Sequence, residues 1–176
     1  MSGSGAPLRL HLGGREVKQG WKIFNIAPGE GVDFVGDIRD LSRFADESCE
    51  AIYASHVLEH VPMPDLLPTL GGLRRILRPG GCAMIAVPNL DVICRLFVHP
   101  ALDLEERLDL MRMMYGGQVD AHDFHHMGFS FDILREAVTR AGFARIERVD
   151  DFGLFEDDSK LRALGQPISL NVIATR

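Results

Sequence analysis

Leu8-Arg9-Leu10-His11-Leu12-Gly13-Gly14 is the run on which the fold turns. Its apolar and polar residues alternate with the two-residue period of a half-buried strand, and the glycine pair stops it where the backbone must turn tightly. A strand ending on glycines opens many nucleotide-binding units, because a residue without a side chain lets the backbone approach a ligand. Two glycines are equally a plain tight turn, so the surroundings have to decide.

The surroundings are strand-rich. Residues 21–26, 32–35 and 51–55 read as further short strands, and 37–44 as a loop with at most one helical turn. Residues 65–77 carry a helical pattern closed by Arg78-Pro79-Gly80-Gly81, since proline breaks the hydrogen-bond ladder and glycine accepts turn geometry. The apolar run 82–87 is a buried strand. Helices follow at 90–97, 104–115 and 131–141, with Gly116-Gly117 ending the second and a polar loop at 122–128. Strands at 143–149 and 168–174 complete the chain. Strands alternating with helices around apolar inner strands predict an α/β, Rossmann-like domain with a mostly parallel twisted sheet. The expected organisation is one domain, residues 1–176, with 1–6 a loose Gly- and Ser-rich tail.

One interval does not fit a regular crossover. Residues 13–20 separate the first two strands, fewer than the dozen or so that a helical connection between parallel strands needs. The first crossover helix is therefore expected to be shortened or missing, which leaves one sheet face thinly covered. Arg9 and His11 would point to that face, so a second subunit, as in a homodimer, or solvent is expected against it.

Composition narrows the function. A net charge of -6 argues against a large phosphate-binding surface, and hence against nucleic-acid partners. The sequence has no apolar run long enough to span a bilayer and no signal-peptide pattern, so the expected location is the cytoplasm, away from membranes. Cys49, Cys82 and Cys94 have no metal-ligand spacing and are expected as reduced thiols.

In an open parallel sheet, ligands bind beyond the carboxyl ends of the strands. Gly13, Asn25, Asp37 and Ser55-His56 stand at four such ends and should converge on one crevice. Asn25 has the groups to bond a ribose hydroxyl and Asp37 to accept from an exocyclic amine, although a loop cap is an equally ordinary role for Asp37.

Several motifs then make a resemblance specific. Leu10-His11-Leu12-Gly13-Gly14, Ile52-Tyr53-Ala54-Ser55-His56-Val57-Leu58-Glu59-His60, Ile76-Leu77-Arg78-Pro79-Gly80-Gly81 and Val87-Pro88-Asn89-Leu90 resemble segments of class I methyltransferases of the methyltransferase-domain type. Residues 111–118 and 168–172 further resemble a small bacterial subgroup. The resemblance implies S-adenosylmethionine as cofactor, with Gly13 and Gly14 beside its methionine part, Asn25 near the ribose, Asp37 and Ile38 near the adenine, and Ser55 or His56 near the sulfonium. Methyl transfer is then expected to an oxygen or nitrogen nucleophile, and the lack of a basic surface and of an added recognition domain makes a small or sugar-like acceptor the expectation. The chain departs from the family where Gly13-Gly14-Arg15 replaces a Gly-x-Gly-x-Gly turn, and where Asn25 replaces a carboxylate.

His125, in the loop expected at the substrate mouth, and His56 are the candidate catalytic residues, since a neutral imidazole can take a proton from an acceptor. No metal is expected. Two rivals stay open: a methyltransferase-like scaffold that has lost activity, and a zinc peptidase through His56-x-x-Glu59-His60, which requires both histidines on one helical face. A metal cluster of His122, Asp123, His125 and His126 is a weaker reading, because adjacent histidines tend to point apart.

Overall fold

The computed structural model describes residues 7–176; the predicted tail at 1–6 lies outside them. Nine strands and four helices follow in the order β1 (Leu8–Leu12), β2 (Lys22–Asn25), β3 (Val32–Val35), β4 (Cys49–Ser55), α1 (Met63–Ile76), β5 (Leu77–Pro88), α2 (Leu90–Phe97), α3 (Leu104–Tyr115), α4 (Phe131–Arg140), β6 (Arg145–Val149), β7 (Arg162–Ala163), β8 (Gln166–Pro167) and β9 (Ser169–Thr175). Single 3-10 turns stand at Leu58–His60 and Asp158–Lys160.

Seven strands form one sheet in the order β3-β2-β1-β4-β5-β9-β6. The first five in that row pair in parallel, and β9 runs antiparallel between β5 and β6. β1 is the middle one of the five parallel strands because the chain leaves it in one direction to β2 and β3 and returns to its other edge with β4. A crevice opens at that reversal, beyond the strand ends.

The first crossover has no helix, as its length predicts, and neither has the second. Among the described residues no helix lies between β1 and β4. The short connections suffice because the strands are short. A four-residue strand is about 13 Å long, and the six residues between β2 and β3 reach about 20 Å when extended.

The core is consequently one-sided in helices. Leu10, Leu12, Ile52, Ala54, Ile85 and Val172 face α1 and α4, which bring Leu66, Leu70, Leu73, Leu134 and Val138 into the same apolar cluster. α2 and α3 pack on each other through Val92, Ile93, Leu96 and Leu110, with Ile168 beneath. The 131–140 helix starts where Ser130 accepts from the Ile133 N–H at 3.3 Å, and α3 carries a capping box between Asp103 and Glu106.

The opposite face corrects the expectation drawn from Arg9 and His11. Neither a second subunit nor solvent covers its centre; residues 150–161, between β6 and β7, fold across it as a strap. Phe155 is buried against Trp21, Tyr53 and Met84, with Phe152 and Leu154 beside it. His11 is only 5% exposed, its ring 4.1 Å from that of Phe155 and edge-on to Tyr53. Arg9 stays at the surface, paired with Glu50. Polar bonds pin the strap: Tyr53 donates to Asp157 at 2.9 Å, Lys18 to the Leu154 carbonyl at 2.6 Å, and Asn171 to the carbonyls of Asp150 and Ser159 at 3.0 and 2.9 Å.

Element ends differ from the sequence reading by a residue or two, with one instructive case. Arg78-Pro79-Gly80-Gly81 does not cap the helix. α1 ends at Ile76, β5 begins at Leu77, and pairing with β4 jumps from Cys49↔Leu77 to Ala51↔Cys82. The proline-glycine run is a bulge on a strand, where its missing N–H and the positive φ of Gly80 are tolerated. The β7–β8 hairpin and both 3-10 turns were not foreseen, being too short to show a period.

Candidate active site

A cavity of about 480 Å³ opens at the carboxyl ends of β1, β2 and β4. That is within the roughly 300–1,000 Å³ of small-molecule sites. Its floor is Leu12, Gly13, Phe24 and Asn25, its sides Gly36, Asp37, Ile38 and Arg39, and its inner wall His56, Val57, His60 and Val61. The far wall is residues 119–123 with His126. Of the residues singled out from sequence, Gly13, Asn25, Asp37, Ile38 and His56 line this cavity. Gly14, Ser55 and His125 do not.

Gly13 is at φ +68, and a Cβ there would meet Val57 at 2.7 Å, so only glycine keeps the turn open. Gly14 serves a different neighbour: a Cβ would collide with the His11 ring, and its carbonyl accepts from Asn25 Nδ2 at 3.1 Å. Asn25 is thereby held with its Oδ1 toward the Ala27 N–H at 3.3 Å. Asp37 accepts from the Arg39 backbone at 2.8 Å and from its guanidinium at 2.6 Å. Those hydrogen bonds, the side-chain one foremost, hold the Asp37 carboxyl below its ordinary range.

His56 sits at φ +52, a conformation that costs a non-glycine residue about 1–3 kcal/mol and that aims its ring inward. Its Nε2 is 2.9 Å from Ser169 Oγ, and Ser169 donates its own proton to the Asp158 carbonyl at 2.6 Å. The serine is therefore the acceptor, and His56 carries a proton on Nε2. Burial opposes the charged ring, but neighbouring Glu59, 3.3 Å from Nδ1, outweighs it with Asp158 and Asp157, and the pKa is raised.

His125 lies behind the far wall, its Nδ1 donating to the Met113 carbonyl at 3.0 Å, and burial lowers its pKa so that it is neutral. His122, Asp123 and His126 are the members of that loop facing the cavity; His125 points apart from them. The loop is fixed to the inner wall by the Glu59 carbonyl, which accepts from the His126 and Met127 N–H groups at 2.7 and 3.2 Å. The zinc-peptidase helix is absent, since residues 58–60 make one 3-10 turn and His56 lies outside it. Arg39 escaped the sequence reading, and His60 entered it only as a ligand of the zinc-peptidase pattern. The signal for Arg39 was its place two residues past Asp37; nothing showed that His60 would line the cavity, because the turn that aims it was not foreseen.

Residues 16–85, β2 through most of β5, match the family model described as a methyltransferase domain. Over that stretch the chain is similar to methyltransferase domains, and its fold is the Rossmann-like one of S-adenosylmethionine-dependent methyltransferases. Solved structures share this methyltransferase fold. A SAM-dependent methyltransferase from Archaeoglobus fulgidus is 14% identical with a TM-score of 0.61, covering 98% of this chain and 87% of its own. A methyltransferase of Thermotoga maritima, described as a possible histamine N-methyltransferase, is 18% identical, with 97% and 83% covered and a TM-score of 0.57. The CurJ carbon methyltransferase is 14% identical, with 99% and 50% covered and a TM-score of 0.58. At such identities the likeness is one of fold. No curated protein matches the sequence. The methyltransferase cofactor fits the cavity on two observations: the Gly13 turn and Gly36, where a Cβ would meet the Phe24 ring at 2.8 Å, keep the floor clear, and the ionised Asp37 stands at its side.

Proposed function

We propose that this protein transfers a methyl group to an oxygen or nitrogen of a small-molecule or sugar-like acceptor held in the cavity at the ends of β1, β2 and β4. The observation that carries the reading is the position of that cavity, open and polar-walled at the point where the strand order reverses. An intact pocket there also speaks against the scaffold reading, which would have no physical use for it.

S-adenosylmethionine supplies an electrophilic methyl group on a sulfonium. The residues that would hold it are Gly13 at the amino-acid end, Asn25 at the ribose, Asp37 and Ile38 at the adenine and His56 nearer the reacting centre. The polypeptide contributes alignment above all, since displacement on a sulfonium is accelerated chiefly by holding the partners in line and keeping water out. A proton leaving the acceptor needs a base. We assign that role to His122 or His126, which line the far wall; His125, the base expected from sequence, does not line the cavity and bonds the Met113 carbonyl.

The preference for a small acceptor rests on the cavity's size and the acidic net charge of -6. Carbon methyltransferases share the fold, so the methylated atom is a matter for experiment. The test is calorimetric titration with S-adenosylmethionine and its demethylated product, followed by a methyl-transfer screen over hydroxyl, amine and carbon acceptors. Binding in the micromolar range with transfer to a small hydroxyl or amine compound is expected. Absence of binding, or salt-sensitive transfer to a nucleic acid, would overturn the reading.

A further inference from the structure

Glu59 has no part in the reaction as described. Its side chain is fully buried, 0% exposed, and neither carboxylate oxygen has a hydrogen-bond partner. Its one close polar neighbour is His56 Nδ1, at 3.3 Å from Oε1. Apart from the His56 ring, nothing satisfies this buried carboxylate, and a group so placed favours a further cation.

Two imidazoles meet it. His60 donates Nδ1–H to the Phe124 carbonyl at 3.1 Å, and His125 donates Nδ1–H to the Met113 carbonyl at 3.0 Å. In both, Nδ1 is spent on the backbone, which fixes the tautomer and leaves the Nε2 lone pair free, the arrangement that orients metal-binding histidines. The rings are edge to face with centroids 4.6 Å apart. Glu59, His60 and His125 each bring a ligand atom within 4.8 Å of the other two. Ligands round a tetrahedral ion at ~2.0–2.1 Å stand about 3.4 Å apart, so small side-chain rotations close the set.

We propose that Glu59, His60 and His125 bind one divalent transition-metal ion, zinc-like in its taste for two imidazoles and a carboxylate. Three protein ligands leave a position open, as in catalytic rather than structural zinc sites. His60 also lines the cavity, so the open position is on the cavity side and takes water in the free protein. An oxygen acceptor would displace that water, a consequence that rests on the methyl-transfer reading; the ion itself does not. The site differs from the peptidase arrangement, for His56 holds Glu59 from behind and the third ligand comes from 65 residues further along the chain.

The test uses the full chain, stripped with chelator and then given zinc sulfate or cobalt chloride. One equivalent of zinc surviving desalting is expected, together with a visible cobalt spectrum of tetrahedral intensity. Glu59→Gln keeps the shape of the buried side chain and should weaken zinc binding at least tenfold while circular dichroism and S-adenosylhomocysteine binding persist; His60→Ala should weaken zinc binding at least tenfold with circular dichroism unchanged. His122→Ala and His126→Ala should leave it unchanged. No retained zinc in the wild type, or retention indifferent to Glu59→Gln and His60→Ala, overturns the proposal. Loss of S-adenosylhomocysteine binding in the wild type would instead strike the methyl-transfer reading and leave the metal result standing.

Discussion

Asp37 is ionised and partly engaged before any ligand arrives. Its pairing with Arg39 leaves lone pairs for an amine, so Asp37→Ala removes a charge-assisted acceptor and frees the guanidinium beside the pocket. Such bonds contribute about 1.5–3 kcal/mol, and S-adenosylmethionine affinity is expected to fall roughly 10- to 100-fold by calorimetry. Unchanged affinity would leave Asp37 a loop brace for Arg39. His11 answers a different question. Burial holds its pKa below the ordinary value, against the opposing pull of Asp157 and Glu16. The folded protein thus resists a proton that the unfolded chain accepts near pH 6.5, and its contribution is present above that pH and lost as pH falls toward the folded value. His11→Phe should therefore flatten the decline in melting temperature between about pH 7 and pH 5. A slope equal to wild type would show that other groups set it.

The elements carry two further expectations. Phe155→Ala takes the middle out of the strap, and buried Phe→Ala changes cost about 3–5 kcal/mol. Trp21 is the single tryptophan and lies 5.5 Å from that ring, so its emission should shift to the red as the strap loosens, while β1 and β4 stay paired on their helix-covered face. Gly13→Ala is a local lesion. The positive φ and the collision with Val57 should cost roughly 1 kcal/mol or more and crowd the floor of the cavity, abolishing cofactor binding in a protein still folded by circular dichroism. Both elements also mark where sequence reading worked and where it stopped. β1 was legible because alternation and a glycine stop coincide in seven residues. The strap was not, because Phe152, Leu154 and Phe155 are set among acidic residues with no helical or strand period, and only the sheet beneath explains their burial.

At the scale of the molecule, fold class, the parallel core and the missing crossover helix were legible, since each depends on patterns within a few residues or on counting a gap. Convergence of Gly13, Asn25, Asp37 and His56 was legible for the same reason, given parallel strands. His60 and His125 could not be joined from sequence, because what joins them is a 3-10 turn and a loop folded back onto it. One sheet with a strap across its bare face predicts a single cooperative unit, so tryptophan emission and far-ultraviolet dichroism should trace one coincident urea transition. Two separated transitions would mean that the strap unfolds on its own.

The support of His56 by Ser169 spans 113 residues, because β9 is inserted between β5 and the earlier-made β6. A ribosome-bound chain that has already laid down the Gly13 turn, Asn25, Asp37 and the His56 turn still lacks the hydroxyl that sets the imidazole and the strand that completes the sheet. The last-made strand thus supplies the final support of the candidate site, so the site is finished only when nearly the whole described chain has been made.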